Sequence, residues 1–300
     1  MAGSSNKIIK DKPGYRIFNV INHIFLIFSA LLCVLPMVNV LAVSFSAPEK
    51  AEAGMVKLWP VSFTTMAYDY VLKSANFWRA MSISVQRLLL GTTITLLITI
   101  LCAYPLSKNS KMFRARRYYV WIFFFTMLFN GGMIPTFLVV YYTGLIDTIW
   151  ALVLPGAVST WNIILMLNFF RQLPNELEEA AYLDGAGHWT ILWKIFVPLS
   201  KPVIATVTLF TMVGHWNAWF DGMLYMKKPA NYPLQTYLQS MLTIDISRYL
   251  TADKLNEIQK LSPRTLKAAQ IFIAAFPILM VYPFLQKYFT KGLVLGSVKG

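Results

Sequence analysis

Asn217 and Asp221 stand four residues apart in "GHWNAWFDG", with Trp216 and Trp219 close together on a neighbouring flank. At that spacing an amide and a carboxylate share one face of a helix. Such groups hold a polar ligand by hydrogen bonds beside aromatic rings, and by themselves they break no bond. A competing reading is the interfacial belt, since Trp near the end of an apolar run also marks a membrane–water boundary. Ser159 and Asn162, three apart with Trp161 adjacent, repeat the arrangement on a smaller scale. Asn130 precedes "GGMIP", where two glycines and a proline can break a helix. For these polar groups, hydrogen bonding between helices is the alternative to lining a pathway.

The parts of an enzyme are missing. No G-x-S-x-G, H-E-x-x-H or C-x-x-C occurs, and His23, His188 and His215 are scattered. Cys33 and Cys102 lie inside apolar runs and read as small buried hydrophobes. No G-x-x-x-x-G-K-[ST] is present, so the sequence offers no phosphate cradle. The reading is a chain without catalysis and without a metal or nucleotide of its own.

The elements that would position these residues are membrane helices. The chain has 300 residues, 57% hydrophobic and only 13% charged, where soluble domains carry about a quarter charged. Its formal net charge of +14 gathers largely in loops beside apolar runs, without the aromatic-interleaved basic stripe of a nucleic-acid binder. A span needs about 20 mostly apolar residues to cross about 30 Å. Six runs qualify: Ile17–Phe45, Leu88–Ser107, Tyr118–Tyr142, Thr148–Phe170, Val203–Leu224 and Ala268–Tyr288. The first is too long for the apolar part of a signal peptide and is expected to remain as a span.

Six spans put both termini on one side. "SKNSKMFRARR", Ser107–Arg117, carries five basic residues and no acid, which places it in the cytoplasm with both termini and the 171–201 loop. Segment 1–16 and tail 289–300 are then cytoplasmic, and loops 46–87 and 223–267 lie outside. The last outer loop carries seven basic residues, so orientation rests on the 107–117 loop. "YPLQTYLQSML" (Tyr232–Leu242) and "TADKLNEIQKL" (Thr251–Leu261) read as short amphipathic helices, either a surface cap or a dock for an external partner.

Between spans four and five lies "ELEEAAYLDGAGHWTILWKIFVPLSKP". Asn175 with Glu178 suits a capping box, and Glu176, Glu178 and Glu179 suit the positive end of a helix. Gly185 falls where a left-handed residue ends a helix. Glu176–Asp184 is therefore expected to be a short helix, and Trp189–Phe196 a second one ending before Pro198. Ala181 and Gly185 share a face, with Ala180 beside them, and that face lets another backbone approach. The bulky Trp189, Leu192, Trp193 and Phe196 brace the second helix on the chain's own spans. An interfacial helix lying on lipid is the alternative, but three Glu would be repelled by an anionic leaflet.

"EAAYLDGAGHWTILWKIFVP" resembles the EAA loop of ABC importer permeases, with Glu179, Ala180, Ala181, Gly185, Ile195 and Pro198 matching and Val197 in place of the usual Leu. "FNGGMIPTFLVVYYTGLIDTIWALVLPGAVSTWNIILMLNFF", "YPLQTYL" and "KGLVLGSVKG" resemble MalG-like carbohydrate permeases, in particular the LplC/YtcP-like group.

The resemblance implies an all-α, six-span type I ABC importer permease (MalG/MetI-like) fold in a bacterial cytoplasmic (inner) membrane. It implies a coupling helix formed by Glu176, Glu179, Ala180, Ala181, Asp184 and Gly185, which enters a groove on a dimeric ATPase that binds ATP and Mg. A second homologous permease would complete the pathway, and a solute-binding protein would deliver an oligosaccharide from outside. On that reading Asn130, Ser159, Asn162, Trp216, Asn217, Trp219 and Asp221 are candidates to line the route. Lys227 and Lys228 at the outer mouth suit an acidic sugar of alginate or pectin type, or are ordinary solvated charges. The alternative function is an ion-coupled secondary transporter, which would work without an ATPase.

Overall fold

The chain's computed structural model describes residues 13–109, 111–243 and 262–295. The expected helix at Thr251–Leu261, most of the 1–16 segment and the end of the 289–300 tail lie outside them. Among the described residues the regular secondary structure is helical, apart from one isolated bridge between Ser46 and Phe63. They divide into two compact units.

In the first unit α1 (Pro13–Ser44) is followed by the short α2 (Pro48–Glu52) and by α3 (Met66–Lys73). Phe45 stacks on Phe63 and on Tyr68, and the Tyr68 hydroxyl hydrogen bonds Ser44 Oγ at 2.8 Å. Ala42, Val43, Ala51, Val56 and Ala268 form a small core. From Ile17 to Met37 the large apolar side chains are exposed, as expected of a helix whose solvent is lipid.

The second unit is built on α4 (Ala75–Ser107), capped by Ser74 Oγ, which accepts from the Phe77 N–H. It holds α5 (Arg116–Leu128), α6 (Met133–Tyr142), α7 (Ile149–Val153), α8 (Thr160–Phe170) and α9 (Asn175–Leu183). Then come α10 (His188–Leu199), α11 (Lys201–Asn217), α12 (Phe220–Tyr225) and α13 (Leu234–Thr243). The final helix, α14 (Pro263–Leu295), begins in the first unit and runs into the second. Helix α4 packs along α8 and α11. Ile100, Ala103, Tyr104, Ile163, Met166, Phe170, Leu192, Phe196 and Val207 close the core between them.

Among the described residues two helices, Ile17–Ser44 and Ala75–Ser107, are each long and apolar enough to cross a membrane. Two pairs meet the same test together: α5 with α6, bent by 116°, and α10 with α11, bent by 81°. Several expected continuous spans are therefore interrupted. The third breaks at Phe129–Gly132, where Gly132 has φ +91° and its N–H donates to Asn130 Oδ1 at 2.8 Å. The fourth breaks between Val153 and Thr160, and the fifth between Asn217 and Phe220. The second helix starts at Ala75 and not near Leu88, because the more polar turns before Leu88 bury Phe77, Ala80, Ser84 and Arg87 against the protein.

Candidate functional site

Helix α9 is short, and its attachment is specific. The expected capping box does not form: Pro174 occupies the cap position and no side chain caps the helix. Glu178 turns instead toward the end of α4. Lys108 Nζ donates to Glu178 Oε1 at 2.6 Å, and the Tyr182 hydroxyl donates to the same oxygen at 2.9 Å. With its one proton committed, the Tyr182 oxygen accepts from His188 Nδ1–H at 3.0 Å, and Tyr104 OH lies 3.2 Å from the same nitrogen. The knot joins α4, α9 and α10. Two arginines secure its base, Arg116 Nε and Arg171 Nη2 both donating to the Leu106 carbonyl.

The electrostatics of this knot are those of a partly dry site. Burial pushes the Lys108 ammonium below the ordinary lysine range, while its hydrogen bond and charge contact with Glu178 pull it up. Burial, then the Glu178 carboxylate, push the Tyr182 phenol up to about 12. Tyr182 therefore remains a donor at neutral pH.

Gly185 has φ +78° and ends α9 as expected; its N–H donates to the Tyr182 carbonyl at 3.0 Å. Ala181 is a correction. It is only 8% exposed and packs into the chain's own core, so its small size lets α9 lie close to its own chain. The exposed face carries Glu176, Glu179, Ala180, Asp184 and Gly185, with Leu183 90% exposed among them. Leu183 was not singled out from the sequence, although a leucine between Tyr182 and Asp184 was there to be placed. Helix α10 continues through Pro198 by way of a π-helical segment, Leu192–Phe196, and does not stop before it. Leu192 and Phe196 are buried, whereas Trp189 and Trp193 stay exposed.

A second site lies toward the other end of α4. A cavity of about 450 Å³ is lined by Arg87, Thr95, Ser159, Asn162, Thr211, His215, Asp221 and Tyr225, with apolar walls from Leu152 and Phe210. Three of its residues, Ser159, Asn162 and Asp221, were expected. Ser159 Oγ accepts from the Asn162 N–H and so caps α8, and Asn162 Nδ2 donates to Thr211 Oγ1 at 3.3 Å. Asp221 pairs with Arg87, whose Nη1 donates to Asp221 Oδ1 and to the Ala218 carbonyl, both at 3.1 Å. The arrangement follows from the break after Asn217. Arg87 meets the negative end of α11, and Asp221 sits in the first turn of α12, where negative charge is favoured.

The other candidates are elsewhere. Ala218 is extended, so Asn217 and Asp221 do not share a helix face, and Asn217 is exposed at the end of α11. Trp216 is buried and donates Nε1–H to the Ala274 carbonyl at 3.1 Å. Trp219 is partly exposed, its carbonyl accepting from Thr236 Oγ1 at 2.7 Å. Asn130 stays at the α5–α6 break. Arg87, Thr95 and His215 were missed. His215 lies against Gly91, where an added Cβ would sit 2.4 Å from Nε2, and its ring hydrogen bonds the Gly91 carbonyl.

Residues 95–294 match the family described as binding-protein-dependent transport system inner membrane component. The chain is 43% identical over 287 residues to Protein LplC of Bacillus subtilis, covering 95% of this chain and 96% of that protein. It is 39% identical to the polygalacturonan/rhamnogalacturonan transport system permease protein YtcP of the same organism, covering 95% and 99%. A solved bacterial ABC transporter involved in the import of the acidic polysaccharide alginate contains a chain that superposes with a TM-score of 0.86. That chain is 33% identical, and the match covers 93% of this chain and 99% of that one.

Proposed function

We propose a working cycle for this chain, which belongs to the family of binding-protein-dependent transport system inner membrane components and is a permease subunit of a carbohydrate ABC importer. It crosses a bacterial cytoplasmic membrane six times with both termini inside. A second, homologous permease completes the route. A solute-binding protein delivers an oligosaccharide, of the acidic pectin or alginate kind that the relatives' names describe. ATP and Mg bind on a partner ATPase dimer. The outer face of α9, with Glu176, Glu179, Ala180, Leu183, Asp184 and Gly185, enters that partner.

One observation carries the reading. Glu178 ties α9 to Lys108 at the end of α4, and α4 also carries Arg87 and Thr95 into the cavity. A displacement of α9 thus has a rigid helix, about 1.5 Å per residue in length, along which to reach the cavity. Closure of the ATPase pulls α9 inward and rocks the spans to open outward. Sugar enters past Asn162, Ser159 and Asp221 and leaves inside after hydrolysis.

The assembled complex with its binding protein tests this. Glu179→Lys and Gly185→Trp remove sugar-stimulated ATP hydrolysis while the chain still inserts. Full coupling in both variants sinks the assignment of α9. Uptake that needs no ATPase at all points instead to an ion-coupled transporter.

A further inference from the structure

The segment between α2 and α3 exposes large apolar side chains. Trp59 is 82% exposed, and Met55, Leu58 and Phe63 are exposed on either side of it. The backbone beneath them is tied down. The Val61 N–H donates to Ser46 Oγ at 3.0 Å, and the Thr64 N–H donates to the Phe45 carbonyl at 2.9 Å. Asn39 Nδ2, on α1, donates to the Val56 carbonyl at 3.3 Å and also to the Lys57 carbonyl. Ser62 has φ +55°, a left-handed conformation that a serine keeps only where its surroundings fix it. Trp59 is therefore presented by a built platform.

Asn39 sets the depth of that platform. The large apolar side chains of α1 are exposed from Ile17 to Met37. At about 1.5 Å per residue this is about 30 Å of helix, the thickness of a bilayer's hydrocarbon core. Asn39 lies about 3 Å further along the axis. The two carbonyls it holds fall just outside the hydrocarbon, in the headgroup layer, and Trp59 follows Lys57 by two residues. An indole, with a broad apolar ring and one N–H donor, suits that layer.

The charges say which lipid chemistry is involved. Glu49, Lys50, Glu52 and Lys57 cancel, so attraction to anionic lipid has no net charge to act on. The apolar rings carry the contact. A water-soluble partner would meet the same rings only by entering the headgroup layer.

We propose that residues 53–63 form an interfacial foot, in which Trp59 and Leu58 lie among the headgroups and glycerol esters of zwitterionic lipid and, through Asn39, fix the depth of α1 in the bilayer. The proposal rests on the importer reading only in that α1 crosses the membrane.

The test uses the assembled complex in phosphatidylcholine nanodiscs. Cys33 and Cys102 are replaced by alanine, and an environment-sensitive fluorophore is attached at Trp59→Cys, or at Leu58→Cys where the first variant does not assemble. Phosphatidylcholines carry a nitroxide quencher on the headgroup, near the top of the acyl chain or near its end. At position 59 the two shallow nitroxides quench about threefold more than the deep one, and adding the binding protein leaves this unchanged. At Leu26→Cys, near the middle of the exposed stretch of α1, the order is reversed.

Three results overturn the proposal: position 59 is quenched by no lipid, it is quenched most by the deep nitroxide, or it loses its lipid quenching when the binding protein docks. In each case deep quenching at position 26 leaves α1 across the membrane and the importer reading intact. Loss of lipid quenching at position 26 as well removes both.

Discussion

Lys108 donates to Glu178 Oε1 at 2.6 Å from between two aromatic rings, its Nζ lying 4.1 Å from the centroids of both Tyr104 and Phe196. The two charged side chains are 6% and 14% exposed. Burial costs Lys108 more than its partner returns, since its ammonium titrates below the ordinary range even with Glu178 beside it. A buried pair of this kind is weak evidence for stability. Its contribution is orientation: it fixes where α9 sits on α4.

That distinction sets the first prediction. Lys108→Met alone strands the Glu178 carboxylate and destabilises the chain by about 3–5 kcal/mol. Lys108→Met with Glu178→Leu removes both charges and leaves the unfolding midpoint near that of the wild type. The double variant nonetheless hydrolyses ATP with less sugar moved per ATP. If it couples as the wild type does, packing and not the ion pair transmits the motion.

Gly91 and His215 set the second. An alanine at 91 places its Cβ 2.4 Å from Nε2, so the imidazole must leave its position against α4. Overpacking of this sort costs about 1–3 kcal/mol. Gly91→Ala should lower the unfolding midpoint, and adding His215→Ala should restore most of it. A double variant whose loss equals the sum of the two single losses would show that the contact is not the cause.

These residues also show how far the sequence could be read. Gly185 was legible because only glycine takes φ +78° without strain at the end of a helix. Ala181 was not. Spacing places it on a face with Gly185, but only the packed neighbours show that Ala181 is buried while Gly185 stays exposed. Asn217 and Asp221 misled for a related reason: the chain leaves the helix at Ala218–Trp219, where neither a glycine nor a proline marks the break. Arg87 fell one residue outside the expected second span. A basic residue next to an apolar run reads as a loop charge, and its partner Asp221 lies 134 residues away.

The turn at Asp147 carries the third prediction. Asp147 has φ +65°, and its Oδ1 accepts from the Lys227 N–H at 3.1 Å and from Asn231 Nδ2 at 3.0 Å. The Asn231 bond is the main reason its carboxyl titrates below the usual range. An acid with a depressed pKa supports the turn above its unfolded value and loses that support as pH falls through the folded one. Asp147→Ala keeps the left-handed strain, about 1–2 kcal/mol, and loses the acceptor. Backbone amide exchange at Lys227 and Lys228, whose N–H groups both donate to Asp147 Oδ1, should then accelerate at neutral pH. Unchanged exchange there would mean that the turn is held by the Asp147 N–H to Tyr225 carbonyl bond alone.

The knot around Glu178 gives the fourth prediction, in the alkaline range. Tyr182 is an acid whose folded pKa, about 12, lies above its ordinary 10.0. Its contribution is whole below pH 10 and is lost as pH climbs from there toward 12. Lys108 has the opposite sign. Its folded value lies below 10.5, so the unfolded chain keeps that proton longer and stability through Lys108 rises with pH up to 10.5. Opening α9 from α4 returns Lys108 to its ordinary range, so its titration does not loosen the attachment; loosening is expected as pH climbs from 10 toward 12 with Tyr182. Amide exchange in Asn175–Leu183, followed from pH 8 to 12 and corrected for intrinsic rates, reads this directly. Tyr182→Phe, which has no proton to lose, removes the loosening, and Lys108→Arg leaves it in place. A transition moved by Lys108→Arg and not by Tyr182→Phe assigns the latch to the ammonium and removes the phenol from it.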